Sequence, residues 1–190
     1  LLERNNLLSF DAVMSCTQGT NVKQVSDLRS TVKLSLKDRE GETTVYLKRY
    51  HSRGIKALAG FSPPGTAMDE WNRILTFHRF GIPTMIPIAA GVRKAAGMKS
   101  ESFLLTRELE GTERLDHYLA REMVCPLTPR QVADKRQLLE ELARLVRRMH
   151  GSGLNHRDLY LCHLLVKKSA ESQWLIYCAD LHRADGSGRL

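Results

Sequence analysis

Apolar and polar positions alternate with period two over Thr31–Lys37, with Val32, Leu34 and Leu36 on one side and Lys33, Ser35 and Lys37 on the other. The alternation returns over Thr43–Tyr50, where Val45 and Leu47 share one face and Tyr46, Lys48 and Tyr50 the other. Asp38–Gly41 between them has turn composition, so the pair predicts a β-hairpin. Met85–Val92 and Ser102–Leu109 are two further strand segments, separated by a basic, Gly-containing turn at Arg93–Lys99. Phe10–Ser15 reads as one more strand and Gln18–Asn21 as a turn.

Elsewhere the period becomes helical. After a Gly- and Pro-containing loop at His51–Pro64, Thr66 opens a helix that runs to residue 80, with Asp69 as capping partner. Met68, Trp71, Leu75 and His78 are its expected buried stripe, which puts Glu70 off the stripe beside Ala67 and Ile74. Gly81 and Pro83 end it. Leu115–Arg121 is a second helical stretch. Thr128-Pro129-Arg130-Gln131 is a strong start for a third, with Leu138, Leu139, Leu142, Leu145, Val146 and Met149 as its apolar stripe up to Gly151. The order predicts an α+β chain: a five-stranded antiparallel sheet plus one helix over residues 1–110, then a helical region over 111–190.

Composition narrows the class without naming a reaction. With 190 residues, 42% hydrophobic and 26% charged, the chain reads as an ordinary globular protein. No apolar run approaches the ~20 residues that span a bilayer, and the N-terminus lacks the layout of a secretion signal. Cys16, Cys125, Cys162 and Cys178 form no Cys-x-x-Cys pair, which favours free thiols in a reducing compartment. Cys162 and Cys178 sit in apolar runs and read as small buried hydrophobes. The net charge of +8 favours an anionic partner. Because no basic run is interleaved with aromatics, nucleic acid is not that partner.

The candidate chemistry lies in Leu154–Val166 and Ile176–Arg183. The first holds His156-Arg157-Asp158, then His163 five positions beyond the Asp, then a short apolar run; the second is an apolar run ending in Asp180. Two strands joined by a tight turn bring both carboxylates and an imidazole to one place, the arrangement that phosphoryl transfer uses to orient a hydroxyl and hold a metal. Lys48 has two readings, an edge lysine that keeps a sheet soluble or a lysine aimed at phosphate oxygens. Glu70 is either solvated or the carboxylate that positions that lysine.

Tyr46-Leu47-Lys48-Arg49-Tyr50, Glu70-Trp71, Gly81-Ile82-Pro83-Thr84, His156-Arg157-Asp158-Leu159-Tyr160-Leu161-Cys162-His163 and Asp180-Leu181-His182-Arg183-Ala184 together resemble the bacterial lipopolysaccharide core heptose/Kdo kinases. The likeness covers about residues 43–184. It implies a two-lobed protein-kinase-like fold, with an N-lobe over 1–110 and a partial C-lobe over 111–190. That C-lobe holds a catalytic loop at 154–166 and a metal-binding segment at 176–184; the chain's early end after Asp180 predicts that its helices are incomplete. Carried over, Asp158 is the catalytic base, Lys48 contacts ATP phosphates and pairs with Glu70, and Asp180 binds magnesium. His163 stands where most kinases have a metal-binding Asn; imidazole is a poor magnesium ligand, and a hydrogen bond to Asp158 or to phosphate is the other reading. Glu108–Glu110 is the implied hinge for adenine, and Gly19 is the one candidate for a phosphate-covering glycine. The implied reaction is transfer of phosphate from magnesium ATP to a sugar hydroxyl of the lipopolysaccharide inner core. It implies a glycolipid substrate and peripheral contact with the cytoplasmic face of the anionic inner membrane. A kinase of this fold acting on a small molecule or a protein, and a pseudokinase that binds nucleotide without transfer, are the alternatives.

Overall fold

The alternation along residues 29–53 becomes a hairpin: β2 (Arg29–Lys37) and β3 (Glu42–Arg53) pair antiparallel from Arg29 opposite Tyr50 to Lys37 opposite Glu42. The structure is a computed structural model that describes residues 1–26, 28–53, 66–95 and 99–186. With β1 (Thr20–Ser26), β4 (Ile86–Ala95) and β5 (Lys99–Arg107), the hairpin forms a five-stranded antiparallel sheet in the order β1-β2-β3-β5-β4. Most of the loop expected at His51–Pro64 and the centre of the turn expected at Arg93–Lys99 lie outside the described residues. The chain divides into two compact units, Leu1–Asn72 with Ile86–Glu108, and Arg73–Met85 with Leu109–Leu190.

In the first unit the apolar face of the sheet, including Leu34, Leu36, Val45, Leu47 and Leu105, is covered by the N-terminal segment, which buries Leu7 and Val13 against it. Phe10–Ser15 is not a strand but a helix, α1. The Ser9 hydroxyl caps it by accepting from the Ala12 N–H, and Phe10, Val13 and Met14 fall at helical spacing on the core side. Arg49, buried on that same sheet face, donates to the carbonyls of Val13 and Cys16, which the end of the helix leaves without intrahelical donors. Burial holds this guanidinium's pKa below the usual arginine range. The fifth strand is β1 instead, whose Thr20, Asn21, Val22, Lys23 and Gln24 are all exposed.

Helix α2 (Ala67–Arg79) begins as its sequence predicts, with Thr66 and Asp69 exchanging capping hydrogen bonds. Its buried face differs. Ala67, Glu70, Ile74 and Phe77 are buried, whereas Leu75 and His78 are exposed and Met68 and Trp71 only half-buried. The expected stripe assumed that a carboxylate faces solvent; this one is fully buried.

The second unit is built around α4 (Pro129–Gly151), which opens with the Thr128–Gln131 capping box and Pro129 in its first turn. Leu138, Leu145 and Met149 are buried, but Leu139 is 53% exposed, so the core stripe is narrower than the leucine pattern suggests. Helix α3 (Leu115–Glu122) precedes it. Then come β6 (Glu113–Arg114), β8 (Leu164–Lys168) and β9 (Trp174–Cys178), a three-stranded antiparallel sheet, and the short ladder of β7 (Leu154–His156) with β10 (Ala184–Gly186). Tyr118 of α3 packs edge-on against Trp174 at 4.9 Å. All four cysteines are free thiols. Cys178 is fully buried, which pushes its thiol up to about 12, but Cys162 is only half-buried and does not behave as a core residue.

Candidate active site

Each unit holds its own polar constellation. In the first, alternation along β3 puts Tyr46, Lys48 and Tyr50 on the face opposite the N-terminal core. Lys48 Nζ donates to Glu70 Oε1 at 2.6 Å, and the Tyr50 hydroxyl donates to Glu70 Oε2 at 2.8 Å. Each carboxylate oxygen thus has a donor, which is what burying a charge requires. Lys48 keeps 13% of its side chain exposed, against none for Glu70. The sequence signal for Tyr50 as a partner of Glu70 is its i+2 spacing from Lys48, which puts both on one face of β3.

Tyr46, two residues before Lys48, donates its hydroxyl to Glu108 Oε1 at 2.9 Å, and Lys33 Nζ meets the same oxygen at 2.7 Å. The lysine, then the tyrosine hydroxyl, hold this carboxyl below the usual range against the opposing effect of burial. Within the expected hinge, the Glu108 N–H already donates to Thr44 O. In the second unit, Glu110 is exposed and its carbonyl accepts from Lys167 Nζ. Gly19 precedes β1, and the β1–β2 connection at residues 26–29 contains no glycine. Its φ is +96°, and a Cβ there would meet Lys33 O at 2.2 Å, so close backbone approach is a sufficient reason for the glycine.

In the second unit, β8 and β9 form the tight pair expected from the apolar runs, and Asp158 and Asp180 flank it. His156 is 3% exposed, and its Nε2 donates to Ala179 O at 2.9 Å; Nδ1 is buried without a partner among the described residues. Burial pushes the pKa of this imidazole down, favouring the neutral ring. The Ala179 N–H donates to His163 O, so the residue ahead of Asp180 is tied to the 156–163 stretch through both of its backbone polar groups. His163 Nδ1 donates to Asp158 O at 2.7 Å, and its Nε2 faces Asp180 Oδ2 at 3.6 Å. His182 Nδ1 donates to Asp180 Oδ1 at 2.9 Å, and Arg183 Nη1 donates to Asp158 Oδ1 at 2.9 Å. The structure therefore brings Asp158, His163 and Asp180 together and adds His182 and Arg183, which lay inside the quoted motif without a role.

Asp180 itself is left-handed at φ 56°, ψ 56°, a conformation that Asp tolerates better than most residues. Among the described residues no group of three or more His, Cys, Asp and Glu forms a metal cage. Magnesium is commonly held by one or two carboxylates together with substrate phosphates, so Asp180 fits such an ion carried in with a nucleotide. His163 makes the hydrogen bond to Asp158 through Nδ1, which leaves Nε2 toward Asp180; imidazole is a poor ligand for magnesium, which prefers oxygen.

Comparison with known proteins bears on this arrangement. The lipopolysaccharide kinase (Kdo/WaaP) family matches residues 14–188. The chain is 36% identical over 134 residues to the lipopolysaccharide core heptose(I) kinase WaaP of Escherichia coli, covering 68% of this chain and 49% of that protein. To the protein of the same description from Pseudomonas aeruginosa it is 37% identical over 121 residues, covering 62% of this chain and 44% of the other. The 3-deoxy-D-manno-octulosonic acid kinase of Actinobacillus succinogenes is 27% identical over 56% of this chain and 41% of its own length. A solved structure of WaaP in complex with acyl carrier protein superposes with a TM-score of 0.72 at 29% identity, over 98% of this chain and 69% of that one. The chain spans about half the length of the curated relatives it matches.

Proposed function

The chain belongs to the lipopolysaccharide kinase (Kdo/WaaP) family, and on that premise we propose that the whole protein transfers the γ-phosphate of ATP to a sugar hydroxyl of the lipopolysaccharide inner core. The observation that carries the reading is the pair of constellations: a lysine locked to a buried carboxylate on the sheet, and Asp158 and Asp180 held beside one another by His163. That division of labour is the one phosphoryl transfer calls for, since such catalysis is mostly positioning and charge neutralisation.

In this reading Lys48, oriented by Glu70, meets ATP phosphate oxygens as a point charge. Asp180 holds magnesium, which when bound neutralises developing charge on the phosphates. Asp158 orients the acceptor hydroxyl and takes its proton. His163 fixes the loop between the two aspartates, His156 ties that loop to Ala179, and Glu108–Glu110 meets the adenine. The net charge of +8 suits an anionic glycolipid and peripheral contact with the cytoplasmic face of the inner membrane. Among the described residues no helix is long and apolar enough to cross a membrane.

The test is transfer of labelled γ-phosphate from ATP to lipopolysaccharide from a strain lacking core phosphate, using the whole gene product. The expected result is label on the glycolipid that disappears with Asp158→Asn. Unlabelled glycolipid with ATP still bound would redirect the assignment to another acceptor or to a nucleotide-binding module without transfer.

A further inference from the structure

We propose that Arg183 is a positioning residue for Asp158, an inference that rests on the kinase reading of that carboxylate. Asp158 is nearly withdrawn from solvent, with 8% of its side chain exposed, and Arg183 Nη1 holds its Oδ1 at 2.9 Å while 58% of the arginine side chain remains exposed. Among the described residues the other oxygen, Oδ2, has no hydrogen-bond partner. A hydrogen bond to one oxygen restricts the carboxylate's rotation about its Cβ–Cγ bond, so it biases the direction of the second oxygen before any hydroxyl arrives. In the transfer, the acceptor oxygen forms its bond to phosphorus as the bond to the nucleoside diphosphate oxygen breaks. The hydroxyl proton passes to Oδ2 of Asp158.

The guanidinium is itself held in place. Leu181–Arg183 is a single 3-10 turn directly after Asp180, and Ala184 begins β10 opposite His156 of β7. Arg73 Nη1 donates to His182 O within that turn at 2.7 Å. A second ion pair of opposite polarity joins Arg157 Nε to Asp185 Oδ2 at 2.7 Å. Arg157-Asp158 and Arg183-x-Asp185 are therefore cross-paired across the β7–β10 ladder, and the segment carrying the metal-binding aspartate also sets the orientation of the base. Tyr160, two residues beyond Asp158, carries no charge, and Arg183 is the cation that the described residues bring to this carboxylate.

The test uses the whole gene product and compares wild type with Arg183→Ala and Arg183→Lys. For Arg183→Ala, kcat should fall about 100-fold, the loss typical of a misplaced catalytic group, while the Kd for ATP stays within about twofold. Guanidinium ion added at millimolar concentration should restore about tenfold of the loss, and isosteric urea none of it. The lysine variant should recover part of the rate. As a readout that needs no turnover, guanidinium should raise the Tm of Arg183→Ala but not that of the Asp158→Asn/Arg183→Ala double variant. An active wild type with Arg183→Ala within about threefold of its kcat, or a loss that guanidinium cannot relieve, overturns the inference alone. A wild type that transfers nothing overturns the kinase reading and the catalytic part of this inference with it.

Discussion

Glu70 and Asp158 are both carboxylates taken out of water and both face a cation, yet the two pairs differ in how much of the cation is left in solvent. Glu70 is fully buried and saturated by Lys48 and Tyr50, and even the lysine is 13% exposed. Asp158 is 8% exposed, but its Arg183 is 58% exposed and, among the described residues, bonds it at one oxygen. The first pair stands on a strand and a long helix, the second on a loop and a single 3-10 turn. A sealed pair is bound up with the stability of its unit, whereas an open pair leaves a donor and an acceptor for something that arrives later.

The contrast breaks most readily at Glu70. Glu70→Ala deletes the fully buried carboxylate that accepts from Lys48 and Tyr50 and should cost roughly 3–5 kcal/mol, read from the urea midpoint; a loss under ~1 kcal/mol would remove the pair from the core. Tyr50→Phe deletes one hydrogen bond to a charged oxygen and should cost about 1.5–3 kcal/mol in the same assay. Arg183→Ala should cost less stability than Glu70→Ala, because its cation is mostly solvated and Asp158, unlike Glu70, keeps an edge in solvent, despite the large loss of turnover expected. A fall comparable to that of Glu70→Ala would make the two sites alike and end the distinction. The smallest effect is a pH dependence. His156 has its pKa lowered by burial, so between its unfolded value near 6.5 and its lower folded value the unfolded chain binds the extra proton. Stability should therefore decline as pH falls through ~6.5, and His156→Gln should flatten that slope in a series of urea melts.

Much of this was readable along the chain. The hairpin at residues 29–53, the Thr66 and Thr128 helix starts and the tight pairing of β8 with β9 follow from local period and capping, which need no tertiary partner. The failures were non-local. Phe10–Ser15 is too short for period to separate helix from strand, and Ser9 together with the buried Arg49 decides it. β1 was missed because every side chain from Thr20 to Gln24 is exposed, so no apolar alternation marks it. The buried face of α2 was misjudged because hydrophobicity ranks a glutamate last, and only Lys48 and Tyr50, brought over from a distant strand, make Glu70 an inside residue. Arg183 stood in the motif, but a one-dimensional pattern gives no hint that an arginine 25 residues away meets Asp158.

The left-handed backbone at Asp180 restricts what can stand there. Gly, Asn and Asp adopt that conformation at small cost, and most other residues do not. Of those three, Asp alone supplies the carboxylate that the proposed reading assigns to magnesium. Conformation and chemistry thus act as two separate filters on one codon, and a lineage relieved of the chemical filter could drift to Asn or Gly with its fold intact. On the proposed reading, Asp180→Asn removes the charge while keeping the backbone conformation, whereas Asp180→Ala confounds lost coordination with a strained main chain.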